Sequence, residues 1–241
     1  MAIAAIAAAP AAAEAGETAR ARAALDGDTL ALADGSLLRL IGIRAPKGEA
    51  DKPFALAARD ALDALAAGRT LTIEITGAGR DRHGRILAHA RREDGVWLQG
   101  AMLEAGLARV ETFADNRARA AEMLALEDAA RKEGRGLWRD RRFRVLTPGE
   151  AERAGDGFHL VEGRVERVTE RRGRFYLDFG ADWRSDFTVA VASGDRPRFR
   201  ALGLDPAGLE GARLRVRGWM HRLNGPMIDA THPEQIERLR P

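Results

Sequence analysis

The 241-residue sequence predicts a β-rich α+β fold made of two small barrels in tandem. Short runs of alternating apolar residues are separated by turn dipeptides such as Asp26-Gly27 and Asp34-Gly35. In each half of the chain these runs follow the order of three strands, a helix and two strands. This is the order of a five-stranded Greek-key barrel of the OB type. We therefore expect one such barrel with added helices, followed by a second OB-like barrel.

The first half of the chain supplies the clearer pattern. Its first three runs predict a meander of strands over residues 22–25, 29–33 and 37–43. A helical period between Pro53 and the stop signal Gly68 predicts a helix over residues 52–67. Further strands are predicted over residues 70–76 and 86–92, and further helices over residues 97–107 and 117–132. Together these elements predict a domain over residues 20–140.

The second half begins after a charged linker, which we place at residues 141–157. Within the linker, Thr147-Pro148-Gly149-Glu150 is typical of a capped start of a short helix. Strands are predicted over residues 160–168, 173–179, 186–192, 213–220 and 227–230, and helices over residues 196–204 and 233–239. These elements predict a second OB-like domain over residues 158–241.

Composition narrows the kinds of chemistry that the protein can perform. The chain has no cysteine, which excludes disulfides, thiolate metal sites and cysteine nucleophiles, and its five histidines show no ligand spacing. The pI is about 9.9, and nearly all basic residues are arginine, whose planar fork suits phosphate. GC-rich coding would also explain the total number of arginines, but it does not explain their positions. No run approaches the ~20 apolar residues of a transmembrane helix.

The N-terminal segment is rich in alanine. Residues 1–15 end in Ala13-Glu14-Ala15, which resembles a signal-peptide cleavage site, although a basic region before the apolar run is missing. We interpret the segment as the remnant of a signal peptide, which would make the protein exported or periplasmic. The alternative is a disordered tail on a cytoplasmic protein.

With these elements placed, residues 22–138 resemble the thermonuclease, or staphylococcal-nuclease-like, family. The resemblance rests on an ordered set of short pieces: Asp26-Gly27-Asp28-Thr29, Arg39-Leu40-Ile41-Gly42-Ile43, Pro46, Asp81-Arg82-His83-Gly84-Arg85, Gly106-Leu107-Ala108, and Glu127 through Gly136-Leu137-Trp138. The resemblance implies a calcium-dependent phosphodiester hydrolase. In that family two aspartates bind calcium, a glutamate assists the attacking water, and two arginines bind the phosphate.

Carried over residue by residue, the resemblance implies a site that is only partly present. Asp28 falls on the first metal aspartate, and Arg39 and Arg85 fall on the two phosphate-binding arginines. The second metal aspartate falls on Arg44 and the glutamate on Lys47, so acids are replaced by bases. A guanidinium about 5 Å from calcium would repel it by roughly 6–7 kcal/mol at an effective dielectric of about 20.

We therefore expect Arg44 or Lys47 to pair with Asp28 and to stand in for the cation. No cofactor is then expected. Calcium would be expected only if other ligands replace the missing ones, with Glu49 as a candidate base. The alternative to phosphate binding is an ion pair with Asp28 for Arg39 and an exposed position in a loop for Arg85.

The second half adds candidates for nucleic-acid contact. Arginines interleaved with aromatic residues are typical of OB barrels that hold single strands. The candidates are Arg174, Trp183, Arg213, Arg215 and Arg217, together with Arg44 and Lys47 of the first half. For the stripe of residues 213, 215 and 217, pairing with acids and contact with a protein partner remain open.

The function that the sequence favours is nucleic-acid binding, preferably to single strands, by a nuclease-like domain with a degenerate calcium site. One alternative is an active metal-dependent phosphodiesterase in which other residues supply the metal ligands. A second is a periplasmic protein-interaction module.

Overall fold

The structure is a computed structural model that describes residues 17–182 and 184–240. The predicted signal-peptide remnant at residues 1–15 and Trp183 lie outside this part of the chain. The described residues form two hydrophobic clusters, one spanning Ala21 to Met123 and the other Leu146 to Ile236. We call the parts around them the first and the second unit; the domain boundaries given above stay a prediction.

The first unit is built on a closed barrel with the strand order β1-β2-β3-β6-β5. Its strands are β1 (Glu17–Asp26), β2 (Thr29–Leu32), β3 (Leu37–Leu40), β4 (Gly42–Arg44), β5 (Thr70–Arg80), β6 (Ile86–Arg92) and β7 (Arg109–Glu111). β3 pairs with β6 in parallel, and β1 closes the barrel by pairing with β5. Strands β4 and β7 form a separate antiparallel ribbon. The predicted OB-type barrel is confirmed, while β7 was not predicted.

Three helices cover this barrel: α1 (Phe54–Ala66), α2 (Leu98–Glu104) and α3 (Ala120–Lys132). Helix α1 buries Ala58, Leu62 and Ala66, which recur every four residues and so form one face against the barrel. Helix α3 buries Glu127 on its inner face beside three apolar residues. A carboxylate on a buried face requires a partner, which the second unit supplies.

The second unit repeats the connectivity of the first. After α4 (Pro148–Ala151) its elements are β8 (Gly157–Arg164), β9 (Arg167–Arg171), β10 (Arg174–Asp178), β11 (Thr188–Ala192), α5 (Arg196–Ala201), β12 (Arg213–Leu223), β13 (Gly225–Asp229) and β14 (Ile236–Arg238). The pairing runs β8-β12-β13-β11-β10-β9, with β11 and β13 parallel. Since only two residues separate β8 from β9, they act as one bent strand, and the path has the OB order.

Two local predictions have opposite outcomes. The capped helix start is confirmed, because Thr147 and Glu150 form a reciprocal capping box at α4. The predicted helix over residues 233–239 is wrong. Only residues 233–235 form a 3₁₀ turn, and β14 follows because it pairs with β12 along Leu214, Arg215 and Val216. Within the described residues, no helix has the length and apolar character needed to cross a membrane.

The two units share buried polar contacts. Arg217 of β12 is 2% exposed and donates to Glu127 of α3 at 2.6 Å and to Glu237 at 2.6 Å. Thr112 Oγ1 lies 2.8 Å from His232 Nε2, and Arg109 donates to the carbonyl of Phe158 at 2.9 Å. The predicted arginine stripe on β12 therefore faces the first unit.

Candidate functional site

Asp28 lies directly after the Asp26-Gly27 turn that joins β1 to β2, and its side chain is fully buried. A Cβ on Gly27 would come within 2.5 Å of the Cβ atoms of Ala45 and Ala58. Only glycine therefore allows helix α1 and the segment after β4 to pack this closely on the turn. That packing holds the Asp28 carboxylate in a fixed position.

Both oxygens of the Asp28 carboxylate accept hydrogen bonds from within the chain. Oδ2 accepts from the backbone N–H of Ala45 at 2.9 Å, and Oδ1 accepts from Lys47 Nζ at 2.7 Å. Lys47 Nζ also donates to Asp26 Oδ2 at 2.8 Å, so it bridges two carboxylates. The expectation that Arg44 or Lys47 pairs with Asp28 is confirmed for Lys47.

The Lys47 bridge helps to lower the pKa of Asp26. Burial by itself raises the pKa of this carboxyl group, but the hydrogen bonds from Lys47 and from the Asp28 backbone N–H outweigh it and hold the pKa below its ordinary value. The ammonium group of Lys47 therefore keeps Asp26 ionised and partly neutralises the pair of acids.

Arg44 has a different partner, Glu111 of β7. Its Nη1 lies 3.7 Å from Glu111 Oε2, and Glu111 is only 6% exposed. The other oxygen, Oε1, accepts a hydrogen bond at 2.9 Å from the indole Nε1 of Trp219, which belongs to the second unit. The Arg44 guanidinium also lies 4.5 Å from the centre of the Trp219 ring, in cation–π contact. The second unit thus contributes a side chain to this site.

The two arginines that the resemblance assigns to phosphate are held in different ways. Arg39 is largely buried, lies 3.3 Å from Asp28 Oδ1 and donates to the carbonyl of Ile43 at 2.8 Å. Since a guanidinium carries five N–H donors, some remain available for a ligand. Arg85 Nε donates to Asp81 Oδ2 at 2.6 Å, and Asp81 Oδ1 accepts from the backbone N–H groups of His83 and Arg85. This network fixes the loop between β5 and β6.

Most of these residues, but not Asp26 or the buried Asp28, line one cleft of about 580 Å³ between the two units, which we call the basic cleft. Its lining includes six basic side chains, Arg39, Arg44, Lys47, Arg80, Arg82 and Arg85. It includes three acidic ones, Asp81, Glu111 and Asp115, and two aromatic rings, Phe113 and Trp219. Phe113 is 49% exposed and Trp219 54% exposed. The volume is that of a ligand site, and the excess of positive charge suits an anionic ligand.

The other predicted contacts lie outside this cleft. Arg174 pairs with Asp229 at 2.6 Å, and Arg213 pairs with Glu162 at 2.7 Å. Arg215 is 9% exposed and pairs with Glu162, Asp128 and Glu237, and Arg217 is buried as described above. The pairing with acids that the sequence left open for Arg213, Arg215 and Arg217 therefore exists for all three, and Arg174 is paired as well. Their contact with nucleic acid stays a prediction, and the burial of Arg215 and Arg217 argues against it.

The chain is similar to proteins that are described as nucleases. The family described as staphylococcal nuclease homologue matches residues 37–140. A curated relative from Escherichia coli, named an uncharacterized endonuclease, is 35% identical over 120 residues, which is 48% of this chain and 73% of the relative. The chain belongs to the staphylococcal nuclease family. A second relative with the same name, from Escherichia coli O157:H7, is 34% identical over the same share of each chain.

The calcium ion implied by the resemblance does not fit the staphylococcal-nuclease site of this chain as it is arranged. Calcium takes six to eight oxygen ligands at about 2.3–2.6 Å. An ion that bridges Asp26 and Asp28 would overlap the Lys47 ammonium group, which lies 2.8 and 2.7 Å from their oxygens. Across residues 17–182 and 184–240, no three acidic or histidine side chains are grouped so that they could hold a metal ion. Glu49, the candidate substitute base, is exposed and pairs with Lys52.

Several residues of the site, Arg80, Arg82, Glu111, Phe113 and Trp219 among them, were not among the sequence-based candidates. Arg80, Arg82 and Arg85 lie within six residues of one another around the β5–β6 loop, and this cluster of arginines is visible in the sequence. Glu111 lies in the unpredicted strand β7. Trp219 reaches the cleft only through the packing of the two units, for which the sequence has no local signal.

Proposed function

We propose that the protein binds single-stranded nucleic acid in the basic cleft without hydrolysing it by the calcium-dependent route of its family. The observation that carries the proposal is the Lys47 bridge between Asp26 and Asp28. It places a tethered cation where a metal ion would be needed. Three arginines around the β5–β6 loop, Arg80, Arg82 and Arg85, line the cleft and support the proposal that it binds phosphate.

The loop arginines differ in how far they are engaged. Arg80 donates to the carbonyl of Gly84 at 2.7 Å, and Arg82 donates to the ring of its neighbour His83. Neither forms an ion pair with another part of the described chain. Both are therefore able to exchange water for phosphate oxygens without breaking an internal salt bridge, and arginine's fork favours that geometry.

The aromatic rings at the rim favour unpaired bases over duplex. Phe113 and Trp219 are each about half exposed, and each presents a ring next to basic groups. Base stacking on such rings requires bases that are free of the double helix. The Trp219 ring is fixed by its hydrogen bond to Glu111 and by Arg44, so little side-chain entropy is lost on binding.

The competing function is metal-dependent cleavage, which the relatives' name, uncharacterized endonuclease, favours. It would require the Lys47 side chain to leave Asp28, whose buried carboxylate would then keep Arg39 as its charged partner, beside the neutral donors Ala45 N–H and Thr29 Oγ1. Leaving a buried charge with fewer partners is costly. This cost is why we favour binding over cleavage.

The test combines binding and cleavage on the full chain. Fluorescence anisotropy with a labelled oligothymidylate of about 12 nucleotides should show an affinity that falls with salt, by about 0.7 log units per phosphate contact for each tenfold rise. Arg80→Gln/Arg82→Gln should weaken binding about 25-fold at ~0.1 M salt. The matched control is Arg20→Gln/Arg69→Gln, which removes two exposed arginines of β1 and its neighbouring turn that do not line the cleft.

Cleavage is measured on the same oligonucleotide with calcium and with EDTA. The proposal expects the same negligible rate in both. Cleavage that requires calcium and stops with EDTA would refute it and support the relatives' named activity. Affinity that does not change with salt would refute the phosphate-binding role of the cleft.

A further inference from the structure

The outer face of the sheet in the second unit carries a second hollow, separate from the basic cleft. Along β10, Phe175 and Leu177 point into the hydrophobic core, so Tyr176 and Asp178 point outward. The hollow has a volume of about 460 Å³ and is lined by residues that include Arg167, Arg171, Arg172, Tyr176, Leu223 and Asn224. We call it the outer-face hollow.

The charge of the hollow is positive. Arg167 donates from Nε and Nη2 to Asp178 Oδ2 at 3.2 and 3.1 Å, which fixes it at one end. Arg171 and Arg172 are exposed and form no ion pair with any residue in the described part of the chain. Two arginines without acidic partners beside a concave surface favour an anionic ligand.

The backbone at Arg172 also points to function. Arg172 has a φ of 50° and Gly173 a φ of 73°, so the hairpin between β9 and β10 has both central residues in the left-handed region. Asparagine or glycine is the favourable choice at such a position, and arginine is not. The turn therefore holds an exposed arginine without an acidic partner at the edge of the hollow, although the backbone there favours other residues.

Tyr176 offers a surface for a base. It is partly buried and lines the hollow, between the strand partners Thr169 and Ala190. Both of these directly opposite neighbours have small side chains. The Tyr176 hydroxyl has no hydrogen-bond partner among residues 17–182 and 184–240. Leu223, 53% exposed, adds an apolar rim on the opposite side.

The position of the hollow matches the binding face of OB barrels. These barrels bind oligonucleotides on their second and third strands, between the loop joining strands 1 and 2 and the loop joining strands 4 and 5. In this unit the second and third strands are β10 and β11. The first of these loops carries Arg171 and Arg172, and the second carries Leu223 and Asn224.

We propose that the outer-face hollow binds single-stranded nucleic acid, with backbone phosphates on Arg171 and Arg172 and a base stacked on Tyr176. The site does not depend on the basic cleft, but one strand can reach both. Trp219 lines the cleft and Leu223 lines the hollow, and they lie four residues apart on β12. At about 3.3 Å per residue this separation is about 13 Å.

The test uses the fact that Tyr176 is the only tyrosine of the chain. The full chain labelled with 3-fluorotyrosine gives one ¹⁹F resonance, which is followed during titration with an oligothymidylate of about 12 nucleotides. We expect the resonance to shift. The shift should persist in the cleft variant Arg80→Gln/Arg82→Gln and weaken in Arg171→Gln/Arg172→Asn, where asparagine suits the positive φ.

Affinity supplies the second measurement. Arg171→Gln/Arg172→Asn should weaken binding about 25-fold at ~0.1 M salt and make the salt dependence shallower by about 1.4 log units per tenfold change in salt. Tyr176→Leu should weaken it by about 5-fold to 150-fold, the range of one stacked base. The control Arg20→Gln/Arg69→Gln, with the same loss of charge, should change affinity less than either.

Two outcomes would overturn the inference. One is an unmoved ¹⁹F resonance while the wild-type chain binds the oligonucleotide, a result that would leave the basic cleft as the binding site. The other is an affinity of Arg171→Gln/Arg172→Asn equal to that of the control. Conversely, a shift and an affinity that survive unchanged in the cleft variant would support the hollow while contradicting the proposed role of the cleft.

Discussion

The substitution Lys47→Met tests whether the tethered cation is what holds the acids at the mouth of the barrel. Lys47 Nζ lies 2.7 Å from Asp28 Oδ1 and 2.8 Å from Asp26 Oδ2, which places these two oxygens no more than about 5.5 Å apart. Two unit negative charges at that separation repel each other by about 3 kcal/mol at an effective dielectric of about 20. Arg39 and the solvent at Asp26 relieve part of this repulsion. We expect the free energy of unfolding to fall by about 2–3 kcal/mol.

Calcium should then restore stability in the variant alone. An ion that binds only the native state adds about 2.7 kcal/mol when its concentration is about 100 times its dissociation constant. The assay is urea-induced unfolding of the wild type and of Lys47→Met, each with calcium and with EDTA. The matched control is Lys52→Met, which removes an exposed lysine that pairs with the exposed Glu49 and should cost at most about 1 kcal/mol.

The reasoning is refuted if calcium stabilises the wild type as much as it stabilises Lys47→Met. That result would mean that the lysine leaves the carboxylates readily and does not replace a metal ion. It is also refuted if Lys47→Met and Lys52→Met have the same stability in EDTA. The Lys47 bridge would then contribute no more to the free energy of unfolding than a surface ion pair does.

Three further predictions concern the contacts between the two units. Arg217→Met should lower the free energy of unfolding by about 3–5 kcal/mol because it leaves Glu127 buried without its partner. The double variant Arg217→Met/Glu127→Leu should recover much of this loss. Equal stabilities of the single and double variants in denaturant would contradict the prediction. Burial lowers the pKa of His232 to about 4, so the unfolded chain takes up a proton that the native state refuses, and the free energy of unfolding falls as the pH drops from about 6.5 towards 4. His232→Asn should make this slope shallower by about 1.4 kcal/mol per pH unit, and an unchanged slope would show that the ring is protonated in the native state. Trp219→Phe should cost about 1–3 kcal/mol because Glu111 loses its indole donor, and thermal unfolding that matches the wild type would contradict the contact.

The barrels could be predicted from the sequence because their information is local. Alternating apolar residues fix which side of each strand faces the core, and turn dipeptides such as Asp26-Gly27 fix where strands end. Arg44 and Lys47 could likewise be recognised as bases at acid positions, since the motif around Asp28 sets the register. The sequence did not distinguish which of the two bases would reach Asp28. That choice depends on Glu111, which attracts Arg44 and lies on a strand too short to predict.

The contacts between the units could not be predicted because their partners are distant in sequence. The alternation along β12 places Arg213, Arg215 and Arg217 on one face, but a strand does not specify what covers that face. Helix α3, with Glu127 and Asp128, covers it, and Trp219 is carried to the cleft by the same packing. The final strand β14 was mistaken for a helix for a related reason: three residues carry little propensity, and their pairing with β12 decides their conformation.

The Arg217 contact sets a physical limit on how the protein can be divided. The family match ends at residue 140, and a fragment cut there would retain every residue of the first hydrophobic cluster. It would nevertheless remove a partner from each of three carboxyl groups: Glu127 would lose Arg217, Asp128 would lose Arg215 and Glu111 would lose Trp219. It would also remove the Trp219 side of the cleft. The family match therefore ends before the contacts of the cleft do, and the smallest piece that keeps those contacts extends into the sheet of the second unit.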